Sequence, residues 1–391
     1  MRVAIFTDND FDRCNGLTTT LKAVLRHAPP DITPRIYTFS DLEIDERDYL
    51  ALRCPRLSVP GRADLRIFLP KLGCLQRRLT QDEIGVVHLT SAGPAGWAAR
   101  FLARRTGLPL VGSFHTRLGG PKPSVWYPRT QMDSYIRWLY GRCERVLVPS
   151  HDSSERLGAA GWDLTRLAVW PRGVDSRVFA PERRSESLRD RWGVSDKRPA
   201  VLYAGRLSRE KGLSLLDQIG SLLYRRRRAY RFIIAGDGPM SPELRQAIPD
   251  AVFTGQLPQN QLAVAVASAD VFVFPSDNDA AGSAVLEAQA CGVPVIVSAA
   301  GAPRENMIDG ETGLVCRPGD PAAFAAGIEQ LLVDRCRRAR MGVDARRFAA
   351  VRSWDVSLAA LSASYRAAAA PGAPDAHAAG CQPLVSARLR R

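Results

Sequence analysis

The sequence lacks the features that mark disulfide-linked, zinc-bound and membrane-spanning proteins. Its eight cysteines are scattered without a Cys-x-x-Cys pair, which argues against a zinc site or a disulfide framework. No stretch approaches the roughly 18–20 consecutive apolar residues that a membrane-spanning helix needs. Only a short apolar run precedes Asp8, shorter than the hydrophobic region of a signal peptide. These absences predict a cytoplasmic protein with reduced thiols.

Acidic residues are outnumbered: 54 Lys and Arg stand against 40 Asp and Glu, a net charge of +14. An excess of this size suits an anionic partner such as nucleic acid, acidic lipid or a phosphorylated substrate. A genome rich in G and C, which favours Arg, explains the excess equally well. The basic run at 225–228 lacks the interleaved aromatics that stack on bases, so we expect an exposed helix end and no nucleic-acid partner.

Apolar, β-type runs alternate with helical segments along the whole chain, which predicts α/β domains with parallel sheets and right-handed crossovers. At 391 residues the chain exceeds the ~250–300 residues at which single cores stop growing. The pattern begins afresh near residue 200. Two successive doubly wound, Rossmann-like domains are the simplest architecture.

The predicted boundaries follow changes in composition. Residues 1–175 form a first domain, and the charged, proline-bearing segment 176–198 is an interdomain linker. Residues 199–350 form a second domain, and 351–370 a C-terminal helix that could return to the first domain. The composition of 371–391 predicts a disordered basic tail.

The most informative stretch is Val271–Val297, which predicts a strand, a polar loop, a helix from Ser283 and a second strand. Open α/β sheets bind ligands at the carboxyl ends of such strands. Asp279 lies in the loop and Glu287 on the helix. In a continuous helix they would be about 12 Å apart, too far for a shared proton, so they suit two parts of one extended ligand.

The helix start offers the backbone amides of Gly282 and Ser283 to a phosphate. A helix-capping acid followed by a solvated glutamate is the structural alternative for Asp279 and Glu287. In the sequence YAGRLSREKG, Arg206 and Lys211 follow another predicted strand, and two cations near a helix start favour an anion such as phosphate. A solvated basic turn is the alternative there.

Two Asp-x-Asp triplets, at 277–279 and 8–10, raise the possibility of a divalent metal. We discount a metal, because Arg206 and Lys211 already supply positive charge. The sequence therefore predicts no metal and no cofactor.

Taken together, the motifs resemble the retaining glycosyltransferases of family 4, which have the GT-B fold. The second half carries YAGRLSREKG, GDGP, FTGQL, ADVFVFPSDNDAAGSAVLEAQACGVPVI and DGETGLV. The first half carries HLTSAGPAG, SFHT, VPS and RGVDSRVF. The resemblance covers about residues 1–365. RGVD and SFHT are most similar to the branch that holds GDP-mannose-dependent α-mannosyltransferases and plant sulfoquinovosyltransferases.

The resemblance implies a role for each matching position. Arg206 and Lys211 would bind the donor diphosphate, and Gly282 and Ser283 lie beside it. The other implied contacts are Glu287 on the ribose, Asp279 on sugar hydroxyls, His115 on the reacting face of the sugar, and Gly16 near the phosphates and acceptor.

Two positions depart from the family pattern. The first acid of its Glu-x7-Glu pattern is Asp279, one methylene shorter, which changes its reach toward the sugar. Ala281 stands where the family usually has phenylalanine before the glycine, which enlarges the site and leaves the donor open.

The implied reaction moves a mannose- or glucose-type sugar from a GDP- or UDP-sugar to a lipid or glycan acceptor, with retention, an α-bond and no metal. The alternatives are a sugar-nucleotide epimerase or hydrolase of the same fold, and a basic binding protein with a decayed site. Basic and apolar residues interleave over 62–79, which suits either an anionic membrane surface or a core helix with solvated arginines. The enzyme would then be peripheral on the inner face of the membrane.

Overall fold

The computed structural model describes residues 1–9, 16–59, 62–115 and 129–370. The predicted tail at 371–391 and Asp10 of the second Asp-x-Asp triplet lie outside the described residues. No helix in the described ranges is long and apolar enough to cross a lipid bilayer.

The first half of the chain builds a mostly parallel sheet. Its described strands are β1 (Arg2–Phe6), β2 (Thr33–Ser40), β3 (Ile44–Asp45), β4 (Tyr49–Arg53), β5 (Arg56–Val59), β6 (Arg62–Phe68), β7 (Val86–Leu89), β8 (Leu110–Ser113), β9 (Arg145–Val148) and β10 (Leu167–Val169). Eight of them form one sheet in the order β10-β9-β8-β7-β1-β2-β4-β3, in which only β3 runs antiparallel to its neighbour. The remaining two, β5 and β6, form a separate antiparallel pair.

The second half builds a fully parallel sheet. Its described strands are β11 (Ala200–Ala204), β12 (Arg231–Ala235), β13 (Val252–Gly255), β14 (Val271–Phe274), β15 (Val295–Ser298) and β16 (Gly313–Cys316), in the spatial order β13-β12-β11-β14-β15-β16. All four residues of β14 are buried, as a run of valine and phenylalanine covered on both faces requires. The two doubly wound α/β domains predicted from the sequence are confirmed.

Helices cover both sheets. They are α1 (Gly16–His27), α2 (Leu72–Gln81), α3 (Pro94–Thr106), α4 (Arg129–Tyr140), α5 (His151–Ala159), α6 (Glu186–Arg191), α7 (Ser214–Arg225), α8 (Ser241–Ala247), α9 (Gln259–Ala267), α10 (Ser283–Ala290), α11 (Pro321–Val333), α12 (Arg335–Ala350) and α13 (Trp354–Ala369). The sequence predicted one helix over 321–344. It divides instead at Asp334, whose carboxylate accepts a hydrogen bond from the amide of Arg337 and starts a new helix.

The predicted linker at 176–198 belongs to the core of the second domain. Phe179 and Trp192 are buried in that core. Arg189 is only 3% exposed, and its Nη1 lies 2.9 Å from Oδ2 of Asp270, just before β14. One of the charges that suggested a solvated linker, Arg189, therefore forms a buried ion pair that holds α6 against the sheet.

The C-terminal helix α13 crosses back to the first sheet. Leu358, Leu361 and Tyr365 lie in one hydrophobic cluster with residues of β1 and β8. The crossing is tight at Gly173, where a Cβ atom would lie 2.5 Å from the Cα atom of Trp354. Glycine is required at this position because any side chain would separate the two segments.

We expect Asp270→Ala to lower the free energy of unfolding by about 3 kcal/mol, since it removes the buried carboxylate and leaves the Arg189 guanidinium with only the Ser268 carbonyl and the exposed Glu186. The matched control is Asp196→Ala, which removes an exposed partner of Arg335 and should cost less than about 1 kcal/mol. Urea unfolding of both variants measures the difference. Equal costs would show that the buried pair does not hold α6.

Candidate active site

The candidate site lies where strands of both sheets end. Lys211 follows β11, Asp279 follows β14, and His115 follows β8. The Asp279 carboxylate acts electrostatically on Arg172, which follows β10, so groups from both halves of the chain converge. The convergence places the site in the cleft between the domains.

Lys211 and Asp279 form an ion pair at this convergence. Lys211 Nζ donates to Asp279 Oδ2 at 2.5 Å, and the two side chains are 23% and 15% exposed. Burial opposes ionisation of Asp279, but Lys211 and two amide donors outweigh it, so the pKa of Asp279 is lowered. The carboxylate of Asp279 therefore remains ionised.

The loop before α10 is organised by the other oxygen of Asp279. Its Oδ1 accepts from the amides of Ala281 and Gly282, at 3.0 and 2.6 Å. The φ of Gly282 is +64°, and a Cβ atom there would meet the backbone of Pro303 at 2.9 Å. We predicted that the Gly282 amide binds phosphate, but it is already engaged by Asp279. The amide of Ser283, the other predicted phosphate donor, forms no hydrogen bond to Asp279 or to another described residue.

Glu287 lies on α10, and its carboxyl group has no hydrogen-bond or ion-pair partner among the described residues. Burial raises the pKa of Glu287 to about 7. A half-buried carboxyl without a donor is costly, and ligand hydroxyl groups are suitable donors for it.

Arg206 and Gly16 are more open. Arg206 is exposed in the loop after β11, and both Arg206 and Lys211 act on the carboxylate of Glu210. The loop containing Lys211 approaches β14 closely, since a Cβ atom on Gly212 would lie 2.3 Å from the carbonyl oxygen of Pro275. Gly16 is the exposed first residue of α1, and nothing lies within 4 Å of its would-be Cβ atom. The described structure therefore gives Gly16 no steric need for glycine.

His115 is held at both ring nitrogens. Arg172 Nη2 lies 2.6 Å from Nδ1, and Ser113 Oγ lies 2.6 Å from Nε2. An arginine can only donate, so Nδ1 accepts and the proton sits on Nε2. Burial, followed by the charge of Arg172, lowers the pKa of His115 well below its usual value. The imidazole is neutral and has no free nitrogen.

A chain of hydrogen bonds leads from His115 to the C-terminal helix. Ser113 Oγ lies 2.9 Å from His88 Nε2, and His88 Nδ1 lies 2.7 Å from the hydroxyl of Tyr365. Burial, with Arg172 as the smaller cause, lowers the pKa of His88 to about 3. The chain joins α13 to the cleft through neutral groups.

Arg172 is the cleft residue that the sequence analysis did not assign. It is 7% exposed, its guanidinium lies 4.8 Å from the centre of the Trp170 ring, and its Nη1 has no hydrogen-bond partner among the described residues. Burial lowers the pKa of Arg172 to about 10, and Asp279 acts in the opposite direction. The motif RGVD contained it, but its pairing with His115 required the fold.

The Asp-x-Asp triplet at 277–279 does not converge on one point. Asp277 accepts a hydrogen bond from Ser298 Oγ, whereas Asp279 pairs with Lys211. In the ranges that the structure describes, no group of three His, Cys, Asp or Glu side chains could hold a metal ion. The expectation of a metal-free site stays a prediction.

Comparisons with known proteins identify the family. The model for Glycosyltransferase Family 4 matches residues 14–178, and the model for Glycosyl transferases group 1 matches residues 184–348. A GDP-mannose-dependent alpha-mannosyltransferase of Mycolicibacterium smegmatis is 34% identical over 94% of this chain and 97% of its own length. Its counterpart in Corynebacterium glutamicum is 30% identical over 87% and 83%. Sulfoquinovosyl transferase SQD2 of Arabidopsis thaliana is 35% identical over 67% of this chain and 52% of its own length.

Solved structures show the same fold at lower identity. Sucrose-phosphate synthase of Thermosynechococcus elongatus superposes with a TM-score of 0.74 at 20% identity, over 93% of this chain and 98% of the other. Anabaena HepE, solved with UDP and glucose, gives 0.75 at 18% identity, over 94% and 99%. The fold is that of the GT-B glycosyltransferases. The chain belongs to the group 1, family 4 glycosyltransferases, and it is a hexosyltransferase.

We expect Ser113→Ala to lower donor turnover about 10- to 100-fold and to leave donor KM within about twofold, because an imidazole released at Nε2 shifts Arg172 in the cleft. The control is Ser362→Ala, which removes an equally buried serine that bonds Asp31 away from the cleft. Steady-state kinetics separates the two parameters. A parallel loss in both variants would indicate general destabilisation.

Proposed function

We propose that the protein transfers mannose from GDP-mannose to a lipid or glycan acceptor, with retention at the anomeric carbon and without a metal ion. The observation that carries this proposal is the charge arrangement of the cleft. Among the described residues, three cations of the cleft meet two ionised carboxylates: Asp279 pairs with Lys211 and acts on Arg172, and Glu210 is acted on by Arg206 and Lys211. A nucleoside diphosphate supplies the missing negative charge.

Each part of the donor would contact different residues of the cleft. The diphosphate would lie between Arg206 and Lys211 at the amino end of α10, near the Ser283 amide. The ribose hydroxyls would donate to Glu287, which has no other donor in the described structure. The sugar would then lie between Asp279 and the free Nη1 of Arg172.

Charge stabilisation is the chemistry that these residues supply. When the bond from the anomeric carbon to the phosphate oxygen breaks, negative charge develops on the departing diphosphate, and Arg206 and Lys211 stabilise it. The acceptor hydroxyl attacks from the same face, and a phosphate oxygen takes its proton. His115 would position Arg172 and not act as a base, because both of its ring nitrogens are engaged.

The donor sugar is proposed from the relatives and from Asp279. Two relatives that match most of this chain are named as GDP-mannose-dependent alpha-mannosyltransferases. Although Asp279 is one methylene shorter than the acid common in the family, its carboxylate reaches Lys211 at 2.5 Å. The shorter acid therefore keeps its charge contact in the cleft.

The test is donor consumption with GDP-mannose, UDP-glucose and UDP-glucuronate, each with and without lipid extract and a metal chelator. We expect turnover of GDP-mannose that depends on acceptor, resists the chelator and gives an α-anomer by proton NMR. Lys211→Ala should lower kcat at least about 100-fold, whereas Lys197→Ala, at an exposed position of the same domain, should not.

Other outcomes would replace the proposal. Isomerised or hydrolysed donor without an acceptor would indicate an epimerase or hydrolase. Binding of GDP without turnover of any donor would indicate a binding protein. Unchanged turnover in Lys211→Ala would move the site elsewhere, and a β-linked product would overturn retention.

The pKa of Glu287 is about 7. One pH unit below it, we expect GDP-mannose to bind about tenfold more weakly than at pH 8, because only the ionised carboxylate accepts hydrogen bonds from two ribose hydroxyls. The phosphodiester oxygens of this donor do not titrate in that range. Glu287→Gln should bind weakly at pH 8 and lose the pH dependence, whereas the exposed Glu243→Gln should keep both. Calorimetry across pH makes the comparison.

Ionisation of Glu287, which is expected to strengthen donor binding, lowers the stability of the unliganded fold. The pKa of this carboxyl group rises from 4.5 in the unfolded chain to about 7 in the fold, so stability falls as pH rises between these values and stays low above 7. The unliganded Glu287→Gln variant should therefore melt at a higher temperature than the wild type above pH 7. A lower melting temperature there would contradict the burial argument.

A further inference from the structure

Helices α3 and α4 expose three aromatic rings on one face of the first domain. Trp97 and Phe101 on α3 are 38% and 36% exposed, and Trp138 on α4 is 47% exposed. The rings of Trp97 and Phe101 stack at 5.6 Å, and the Arg100 guanidinium lies 4.4 Å from the centre of the Trp138 ring. These four residues, with the exposed Arg104, are called the α3–α4 face.

The α3–α4 face carries positive charge that no described carboxylate neutralises. The recorded partners of Arg100 are the Leu139 carbonyl and the Trp138 ring, and neither Arg100 nor Arg104 forms an ion pair in the described ranges. Burial, then the neighbouring Arg142 and Arg104, lowers the pKa of Arg100. By contrast, Arg226 and Arg228 on the second domain both bind Glu329.

We propose that the α3–α4 face docks the protein on an anionic lipid bilayer. Tryptophan favours the boundary between headgroups and acyl chains, and an arginine near an anionic surface is attracted to it. A second copy would bring like charges together. A protein partner of ordinary size needs roughly 800 Å² and 20–30 residues per side, more than three rings and their arginines provide.

The position of Trp97 near the cleft connects docking on a membrane with the proposed transfer to a lipid acceptor. Helix α3 starts directly after β7, and its first turn is fixed by Asp8, which accepts from the amide of Ala95 at 2.8 Å. Trp97 comes within one turn of that point. Trp97 therefore lies near the carboxyl edge of the first sheet, and the face extends from there toward Arg104 and Trp138 near the ends of α3 and α4. The inference rests on the proposed transfer to a lipid-borne acceptor.

The structure thus shifts the membrane surface from the segment that the sequence suggested. Residues 62–79 form a strand, β6, and a helix, α2, and not one amphipathic helix. Arg78 pairs with Asp45 at 2.8 Å. The side chains of 62–67 lie outside the described ones. The α3–α4 face combines exposed aromatics with unpaired arginines, which suits a bilayer better.

The experiment is co-sedimentation of the full chain with vesicles of equal parts phosphatidylcholine and phosphatidylglycerol, and with phosphatidylcholine alone. The test variant is Trp138→Ala with Arg104→Glu. The matched control is Tyr224→Ala with Arg225→Glu, which removes an exposed aromatic and an exposed arginine on the second domain. The charge change is the same in both.

We expect the wild type to bind the anionic vesicles, with weaker binding at high salt, and the test variant to bind about tenfold or more weakly. The control should stay within about twofold of the wild type. Equal loss in both variants, or no wild-type binding, would overturn the proposal and leave the face to a protein partner. A thermal-shift titration with GDP on the same samples reports folding and donor binding, so failure of the proposed function is seen separately.

Discussion

The contact on which the cleft depends is the ion pair between Lys211 and Asp279. A buried pair of this kind gains little net stability against its desolvation cost, so its value lies in what it fixes. One oxygen of Asp279 holds Lys211 and the other holds the amides of Ala281 and Gly282. A single carboxylate thereby ties the loop after β11 to the start of α10, and it leaves Arg206, on the same loop, open to solvent.

Two sets of contacts join the second domain to the first. Helix α13 leaves the second core and fills the first one, where Tyr365 reaches His88 and, through Ser113, His115. Across the domains Glu305 accepts hydrogen bonds from the first two amides of α5, where a carboxylate also interacts favourably with the helix dipole. The position of His115 and Arg172 therefore depends on how the two domains meet.

The sequence predicted those features that depend on local residue patterns. Apolar runs located the strands, and the loop that begins after β14 was assigned to the site. Contacts between residues distant in the chain were not predicted. The charged segment 176–198 was taken for a linker because the pairing of Arg189 with Asp270 cannot be read from the sequence. The Gly282 amide was assigned to a ligand because a helix start is a common anion site, yet a nearby acid already binds it. The contact between His88 and Tyr365 likewise joins residues that are far apart in the chain.

His115 illustrates how the fold changes the role of a residue. A histidine at a strand end in a cleft suggests a group that touches the sugar, but each of its ring nitrogens is used within the protein. The next group in the hydrogen-bond chain is Arg172, whose buried Nη1 has no partner within the described ranges and is acted on by the charge of Asp279. Since leaving a buried guanidinium group unsatisfied is costly, the function proposed above assigns a ligand oxygen to that point. The neutral histidine keeps the arginine in place without competing for the ligand.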